Sequence, residues 1–314
     1  MSVTLDDVRA AAARIEGRVR RTPVLPATAM HAPLPHTGPV VMKLENLQAI
    51  GSFKARGATS KLTTLSAAET ARGLVTASGG NHGLGVAYAG WQAGAPVRIY
   101  LPESTPKAKA DKLRAWGAEV IIHGAVWDEA NAEALAAAER DGLTYAHPFA
   151  DADVIAGQGT TALEILADDP DIDVLLVAIG GGGLISGVAT AAKALKPEIK
   201  VIGVEATGAP TLYESLKAGE LVTLARIETE AGTLAPRRSA EINFEIIGRC
   251  VDEIVLVTDD DMRAAAQWLW FEFGIAAELS GAAAIAALQA EACMPEPKAR
   301  VCAIVCGAGT DGLG

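Results

Sequence analysis

Short runs of β-branched and aliphatic residues alternate along this chain with longer, alanine-rich stretches whose apolar positions recur every three or four residues. The first pattern predicts buried strands and the second predicts amphipathic helices, because side chains alternate across a strand but return to the same face of a helix. In order, the pairs are 40–44 then 52–65, 73–77 then 81–93, 97–101 then 105–116, and 119–123 then 127–141. The series resumes with 174–179 then 184–195, and 200–205 then 211–218. Strand followed by helix, repeated, predicts an α/β protein built from open, mostly parallel sheets flanked by helices. In such sheets ligands bind where loops gather at the carboxyl ends of the strands. The segment 142–159, GLTYAHPFADADVIAGQG, carries Pro148, aspartates and glycines and breaks the alternation, so a lobe boundary is expected there. Helical patterns at 260–274 and 280–290 and an apolar run at 301–306 close the chain.

A chain of 314 residues is long for a single compact unit, which agrees with two lobes. Its formal charge of -11 argues against a nucleic-acid or anionic-membrane partner, since both need a basic face. The longest apolar runs, 174–179 and 301–306, have strand length and are too short to span a bilayer. Residues 1–21 lack the continuous apolar core of an export signal. Cys250, Cys293, Cys302 and Cys306 show neither zinc spacing nor a dense disulfide framework, so the expected setting is a reducing compartment, the cytoplasm. A small-molecule enzyme is the default reading.

Candidate chemistry sits in three places. The run Ser52-Phe53-Lys54-Ala55-Arg56-Gly57-Ala58 puts one lysine where an amphipathic pattern begins. Partial burial and the positive end of a helix both favour the neutral amine, and a neutral amine attacks aldehydes. Taken alone, Lys54 also reads as an ordinary surface lysine. Gly180, Gly181, Gly182 and Gly183 followed by Leu184 lie between an apolar strand and a helix, so their N–H groups can cradle a phosphate. With Gly187 and Glu205 they imitate a dinucleotide fingerprint whose glycine spacing is off by one residue. No Gly-Lys-Ser/Thr follows, which argues against a nucleotide triphosphate loop. Ser78-Gly79-Gly80-Asn81-His82-Gly83 offers a second strand-to-helix anion site. Two such sites suit a phosphorylated cofactor and a carboxylate substrate better than one dinucleotide. By themselves, Asn81 reads as a helix cap and His82 as a packing or capping residue.

The ordered set KLENLQAIGSFKARGA, ASGGNHG, HPFADADVIAGQGT, AIGGGGLISG, VIGVEA, ELSGAAAIAAL and CGAG resembles the fold-type II pyridoxal-phosphate enzymes, nearly end to end. Within them it is most similar to the serine/threonine dehydratase family, which includes threonine deaminases and serine racemases. The resemblance implies a tryptophan synthase β-like fold with a large cofactor-binding domain, residues 1–65 and 150–314, and a small domain, 66–149, that carries the substrate-carboxylate loop. It implies Lys54 as the catalytic Schiff-base lysine, Phe53 against the cofactor ring, Asn81 on its phenolic oxygen, and Gly180 to Gly183 with Leu184 on its phosphate. Cys306 falls where the family places a neutral Ser or Cys beside the ring nitrogen; it also reads simply as a core cysteine. Ser78, Gly79, Gly80, Asn81 and His82 would bind the substrate carboxylate. The implied activity is β-elimination from a 3-hydroxy amino acid such as threonine or serine to a 2-oxo acid and ammonia, by a homodimer. The alternatives are a racemase, a dehydratase of a modified substrate such as 3-hydroxyaspartate and, distantly, a nicotinamide-dependent dehydrogenase.

Three departures qualify that expectation. Racemases of the family carry a serine where this chain has Gly79, which favours elimination over two-base racemisation. Members often bind a cation through an acid matching Glu205, a carbonyl near Ala209 and a second acid, but here the second position is Thr211, so no metal is expected and Glu205 reads equally as a strand-end carboxylate facing water. Arg237 and Arg238, in the loop 232–238, suit either a second substrate carboxylate or a solvated loop. No module follows Gly314 in this sequence, which gives the expectation of a catabolic enzyme without feedback control.

Overall fold

The computed structural model describes residues 3–313. Its strands are β1 (Val24–Pro26), β2 (Val40–Leu44), β3 (Leu74–Thr76), β4 (Val97–Leu101), β5 (Glu119–Ile122), β6 (Thr144–Tyr145), β7 (Val174–Ala178), β8 (Lys200–Ala206), β9 (Glu253–Val257) and β10 (Val301–Val305). Six form one sheet in the order β1-β2-β10-β7-β8-β9, and four form another in the order β5-β4-β3-β6. Every neighbouring pair is parallel except β1 with β2. The α/β architecture is thus as expected, with the smaller sheet drawn entirely from the middle of the chain. β2, β7 and β10 are buried along their whole length, because helices cover both faces of the large sheet. Among the described residues no helix is long and apolar enough to cross a membrane.

Several elements were not expected from the pattern. Helix Leu5–Ile15 starts at a capping box made by Thr4 and Asp7, and helix Ala67–Arg72 at one made by Ser66 and Glu69. Helix Glu241–Cys250 and strand β9 fill a stretch the periodicity left unassigned. The segment 142–159 is less irregular than its composition suggests. It holds β6 and then the start of a 17-residue helix, Ala152–Asp168, capped by Asp151 on the N–H groups of Asp153 and Val154. Its glycines do not break that helix; they admit neighbours. A Cβ on Gly157 would lie 2.6 Å from Ser60 Cβ and 2.8 Å from Arg56 O, and one on Gly159 would lie 2.8 Å from Gly187 O. The helix therefore packs its backbone directly against helices Lys54–Leu62 and Gly183–Leu195.

Behind the first of these helices lies a buried charge cluster. Arg56, with a fully buried side chain, donates to Glu45 through Nε (2.8 Å) and Nη2 (2.7 Å) and to Glu164 through Nη1 (2.7 Å). Lys43 Nζ completes it on Glu164 Oε2 (2.6 Å) and Thr22 O (2.7 Å). Two cations face two carboxylates, so the ions are compensated where burial would otherwise penalise them.

Candidate functional site

The route to Lys54 is a sharp turn. After β2 the backbone takes positive φ at Ile50 (63°) and Gly51 (82°), a conformation costly for a β-branched residue. This shortens the expected helix, which begins only at Lys54. The turn is pinned to the end of β10: Phe53 N donates to Cys306 O (3.2 Å) and Ala308 N to Gly51 O (2.8 Å), while Ser52 bridges to Gly307. Lys54 Nζ donates to Pro148 O (2.7 Å) and sits 5.1 Å from the centre of the Phe53 ring. Burial lowers its pKa from 10.5 to about 8, against the opposing pull of Cys306 and Glu278.

Pro148 links this amine to the glycine loop, because its neighbour Phe149 lies against that loop. A Cβ on Gly181 would fall 2.2 Å from the Phe149 ring, and one on Gly183 would fall 2.9 Å from Phe149 Cα. Gly182 takes φ 91° and opens helix Gly183–Leu195. The carbonyl of Gly181 is held from outside by Ser239 Oγ (2.9 Å) and Asn243 Nδ2 (3.0 Å). Among the described residues the backbone N–H groups of Gly180 to Leu184 donate to no protein acceptor. Free N–H groups at a helix start, on glycines that carry no side chain of their own, are suited to an anion such as a phosphate.

The second candidate anion loop, 78–83, follows β3. Gly80 is the cap residue of helix Asn81–Ala93, and Gly80 N reaches Ser78 Oγ (3.3 Å). The N–H groups of Asn81, His82 and Gly83 again find no protein acceptor among the described residues. Gly79 faces Thr105 and Leu101. Asn81 does not cap its helix. Its Nδ2 donates instead to Glu278 Oε1 (2.8 Å), which also accepts from Ser280 Oγ (2.6 Å) and Thr233 Oγ1 (3.4 Å). Burial raises the Glu278 pKa, against its hydrogen bonds. His82 is a packing residue: Nε2 donates to Ala146 O (2.9 Å), and burial, then the charge of Lys54, pushes its pKa down to about 3, so the ring is neutral.

Cys306 directly follows β10, with Sγ donating to Ser280 O (3.4 Å); burial first, then Glu278, raises its pKa, so the thiol is neutral. The structure thus connects Lys54, both anion loops and Cys306 through Pro148, Phe149, Thr233, Glu278 and Ser280. None of these five was picked out from the sequence as a site residue, although four lie inside or beside the motifs HPFADADVIAGQGT and ELSGAAAIAAL. Glu205 is not a strand-end carboxylate facing water. It is buried, with Oε1 and Oε2 accepting from Leu212 N (2.9 Å) and Tyr213 N (2.8 Å), because helix Thr211–Ala218 starts directly over it. Burial pushes its pKa up to about 8. Among the described residues no group of three or more His, Cys, Asp or Glu is placed to hold a metal ion. Arg237 and Arg238 are exposed and bind the loop beside them, through Leu224 O (2.9 Å) and Leu221 O (2.8 Å).

Comparison with known proteins places the chain among relatives of one family. Residues 15–307 match the family described as pyridoxal-phosphate dependent enzyme. An L-threonine ammonia-lyase of Thermotoga maritima is 41% identical over 288 residues, covering 91% of this chain and 71% of that protein. Among solved structures, maize serine racemase superposes with a TM-score of 0.92 at 33% identity, covering 98% of this chain and 94% of the other. The processed form of threonine deaminase isoform 2 from Solanum lycopersicum does so with a TM-score of 0.90 at 36% identity, covering 98% of this chain and 90% of the other.

Proposed function

The chain belongs to the pyridoxal-phosphate dependent enzyme family, and on that footing we propose that it is an ammonia-lyase releasing a 2-oxo acid and ammonia from a 3-hydroxy amino acid, threonine or serine first. One observation carries the reading: an amine whose pKa is lowered to about 8 by burial lies between a glycine cradle with free N–H groups and a second anion-binding helix start. The residues present fit the cofactor. Gly180 to Gly183 and Leu184 would hold its phosphate, Lys54 its aldehyde carbon, Phe53 its ring, Asn81 its phenolic oxygen and Cys306 its ring nitrogen. When bound, pyridoxal phosphate supplies an electron-withdrawing ring that stabilises negative charge at the substrate Cα.

The chain's own groups do the rest. The N–H groups of Asn81, His82 and Gly83, with Ser78 to Gly80, orient the substrate carboxylate without needing a charged side chain. Lys54 Nζ takes the Cα proton as general base, a role suited to an amine whose pKa is near neutrality. Glu278 holds one Asn81 N–H and leaves the second free. The neutral Cys306 thiol offers the ring nitrogen no strong acid, which favours rapid elimination over longer-lived carbanion chemistry. With no side chain at Gly79, a second base for racemisation is missing. Residues 66–149 act as the small domain that brings the carboxylate loop to the site. The four free cysteines support a reducing, cytoplasmic setting, and a homodimer is expected from the family.

The test is a visible absorption spectrum of the purified protein followed by 2-oxo acid assays on serine, threonine and 3-hydroxyaspartate, with chiral analysis of the remaining substrate. Yellow protein that releases 2-oxo acid faster than it racemises, and a colourless, inactive Lys54→Ala variant, are expected. A colourless wild type, or racemisation outpacing release, would overturn the reading.

A further inference from the structure

A cavity of about 340 Å³ lies away from this site, at the ends of three helices, lined by Arg14, Arg18, Thr63 and Thr70 together with Leu62 and Ala93. Its size is at the lower end of small-molecule sites. Its polar side chains are two guanidiniums and two hydroxyls, with no carboxylate among the lining residues. Arg14 Nε is buried without a hydrogen-bond partner, and Arg14 Nη2 reaches only Ser60 Oγ, at 3.5 Å. Neither Arg14 nor Arg18 has an ion-pair partner among the described residues, although acidic groups are in excess in a chain of net charge -11. A buried donor left unpaired is costly, and a pair of unpaired arginines raises the local potential.

Capping does not account for these arginines. The carbonyls at the ends of the three helices are taken by the backbone that follows: Ile15 O by Arg18 N, Lys61 O by Thr64 N, Leu62 O by Leu65 N, and Gly90 O by Ala95 N. Arg14 Nη1 and the Arg18 guanidinium therefore have no protein acceptor among the described residues and are open to a ligand with several acceptor oxygens, which arginine meets with charge-assisted hydrogen bonds.

We propose that this cavity binds a small oxyanion, a phosphate or a dicarboxylate, and couples it to the lyase centre. The coupling follows from which helices end there. Helix Lys54–Leu62, nine residues long, starts at the reactive amine, and helix Asn81–Ala93, thirteen residues long, starts at the carboxylate loop. At 1.5 Å per residue the cavity is about 13 Å and about 20 Å along these helices from their site ends. An anion bridging Arg14, Thr63 and Thr70 ties the end of the lysine helix to helix Ala67–Arg72 of the small-sheet segment and limits how the carboxylate loop moves.

The experiment uses holoenzyme saturated with an unreactive amino acid, 2-methylserine, so that the glycine cradle and the carboxylate loop are both already filled. Inorganic phosphate and, separately, malonate are titrated by calorimetry at constant ionic strength balanced with chloride. Saturable binding of at least one is expected; phosphate alone points to a phosphoryl ligand and malonate alone to a dicarboxylate. Arg18→Gln, whose exposed side chain makes no contact the fold depends on, should weaken binding about tenfold or more, as for loss of one charge-assisted hydrogen bond. Arg14→Gln combined with Arg18→Gln should abolish it, leaving the visible spectrum and anion-free turnover unchanged. The bound anion should also change kcat at saturating amino acid, which competition at the carboxylate loop does not, in wild type and not in the double variant. Absence of saturable binding, binding undiminished in the double variant, or an anion effect on kcat that persists in it would each overturn the proposal. None of these outcomes depends on which amino acid is the substrate.

Discussion

Replacing Lys54 by methionine keeps the length and apolar stem of the side chain and removes the amine, so it isolates the electrostatic consequence of burying that group. The fall in pKa from 10.5 to about 8 corresponds to ~3 kcal/mol at about 1.36 kcal/mol per pH unit. That is an upper bound, because the side chain keeps some contact with solvent. Methionine also leaves Pro148 O without its donor, which costs about 1 kcal/mol. The net expectation is that cofactor-free Lys54→Met is more stable than cofactor-free wild type by about 1–2 kcal/mol at pH 7. The sign follows from proton linkage. Below about pH 8 both folded and unfolded wild type hold the proton, and the folded state bears the full burial penalty. Between about 8 and 10.5 the unfolded chain binds more protons, so wild-type stability rises with pH relative to the variant. Above that window the gain of the variant is gone and only the lost hydrogen bond remains. Urea unfolding at pH 7, 8.5 and 10, with the slope m checked for constancy, measures this directly. A variant less stable than wild type at pH 7, or a difference that ignores pH, would refute the argument. The same pKa leaves about one amine in ten neutral at pH 7, against about one in three thousand for an ordinary lysine.

Three further outcomes follow from the packing. Arg56→Met strands Glu45 and Glu164 in the interior with only Lys43 between them, and should lower unfolding free energy by about 3–5 kcal/mol in urea; a loss under about 1 kcal/mol would show the cluster to be dispensable. Gly187→Ala puts a methyl 2.2 Å from Ile155 O and 2.5 Å from Gly159 N, both backbone atoms of helix Ala152–Asp168, so a destabilisation of about 3 kcal/mol or failure to accumulate as soluble protein is expected, and wild-type stability would contradict it. Gly79→Ser meets only side-chain atoms, Thr105 Cγ2 at 3.2 Å and Leu101 Cδ2 at 3.4 Å, so it should fold; it should add measurable racemisation to the product mixture, and an unchanged product ratio by chiral chromatography would count against the missing second base.

Much of the sheet architecture could be read from local pattern, because a fully buried parallel strand is a continuous apolar run. Helices Asn81–Ala93, Trp127–Asp141 and Thr211–Ala218 match their expected bounds. Failures cluster where a residue's local preference is overruled by a distant partner. Gly157 and Gly159 look like helix breakers but are the points where helix Ala152–Asp168 meets its neighbours. β1 is three residues ending in Pro26 and pairs antiparallel at the sheet edge, where proline is tolerated, so no periodicity could mark it.

The site divides along the same line. An anion-binding turn is a local object, made by consecutive N–H groups at one strand-to-helix junction, so Gly180 to Gly183 and Ser78 to Gly83 stand out as candidates from composition alone. The hydrogen bonds that hold Lys54 and Asn81 are long-range. Lys54 finds Pro148 across 94 residues, and Asn81 finds Glu278 across 197. For Asn81, local rules favour a cap, but its helix already has Gly80 as cap residue, and a hydrogen bond to a half-buried acidic side chain outweighs a neutral cap. Glu205 shows the converse: a carboxylate that looks free at a strand end is taken by the N–H groups of the next helix. Both cases turn on which buried polar group lacks a partner, and only the tertiary structure supplies that account. Glu278 is the clearest product of it, because one of its oxygens serves Asn81, Ser280 and Thr233 at once and so joins the loop 78–83 to the helix behind Cys306.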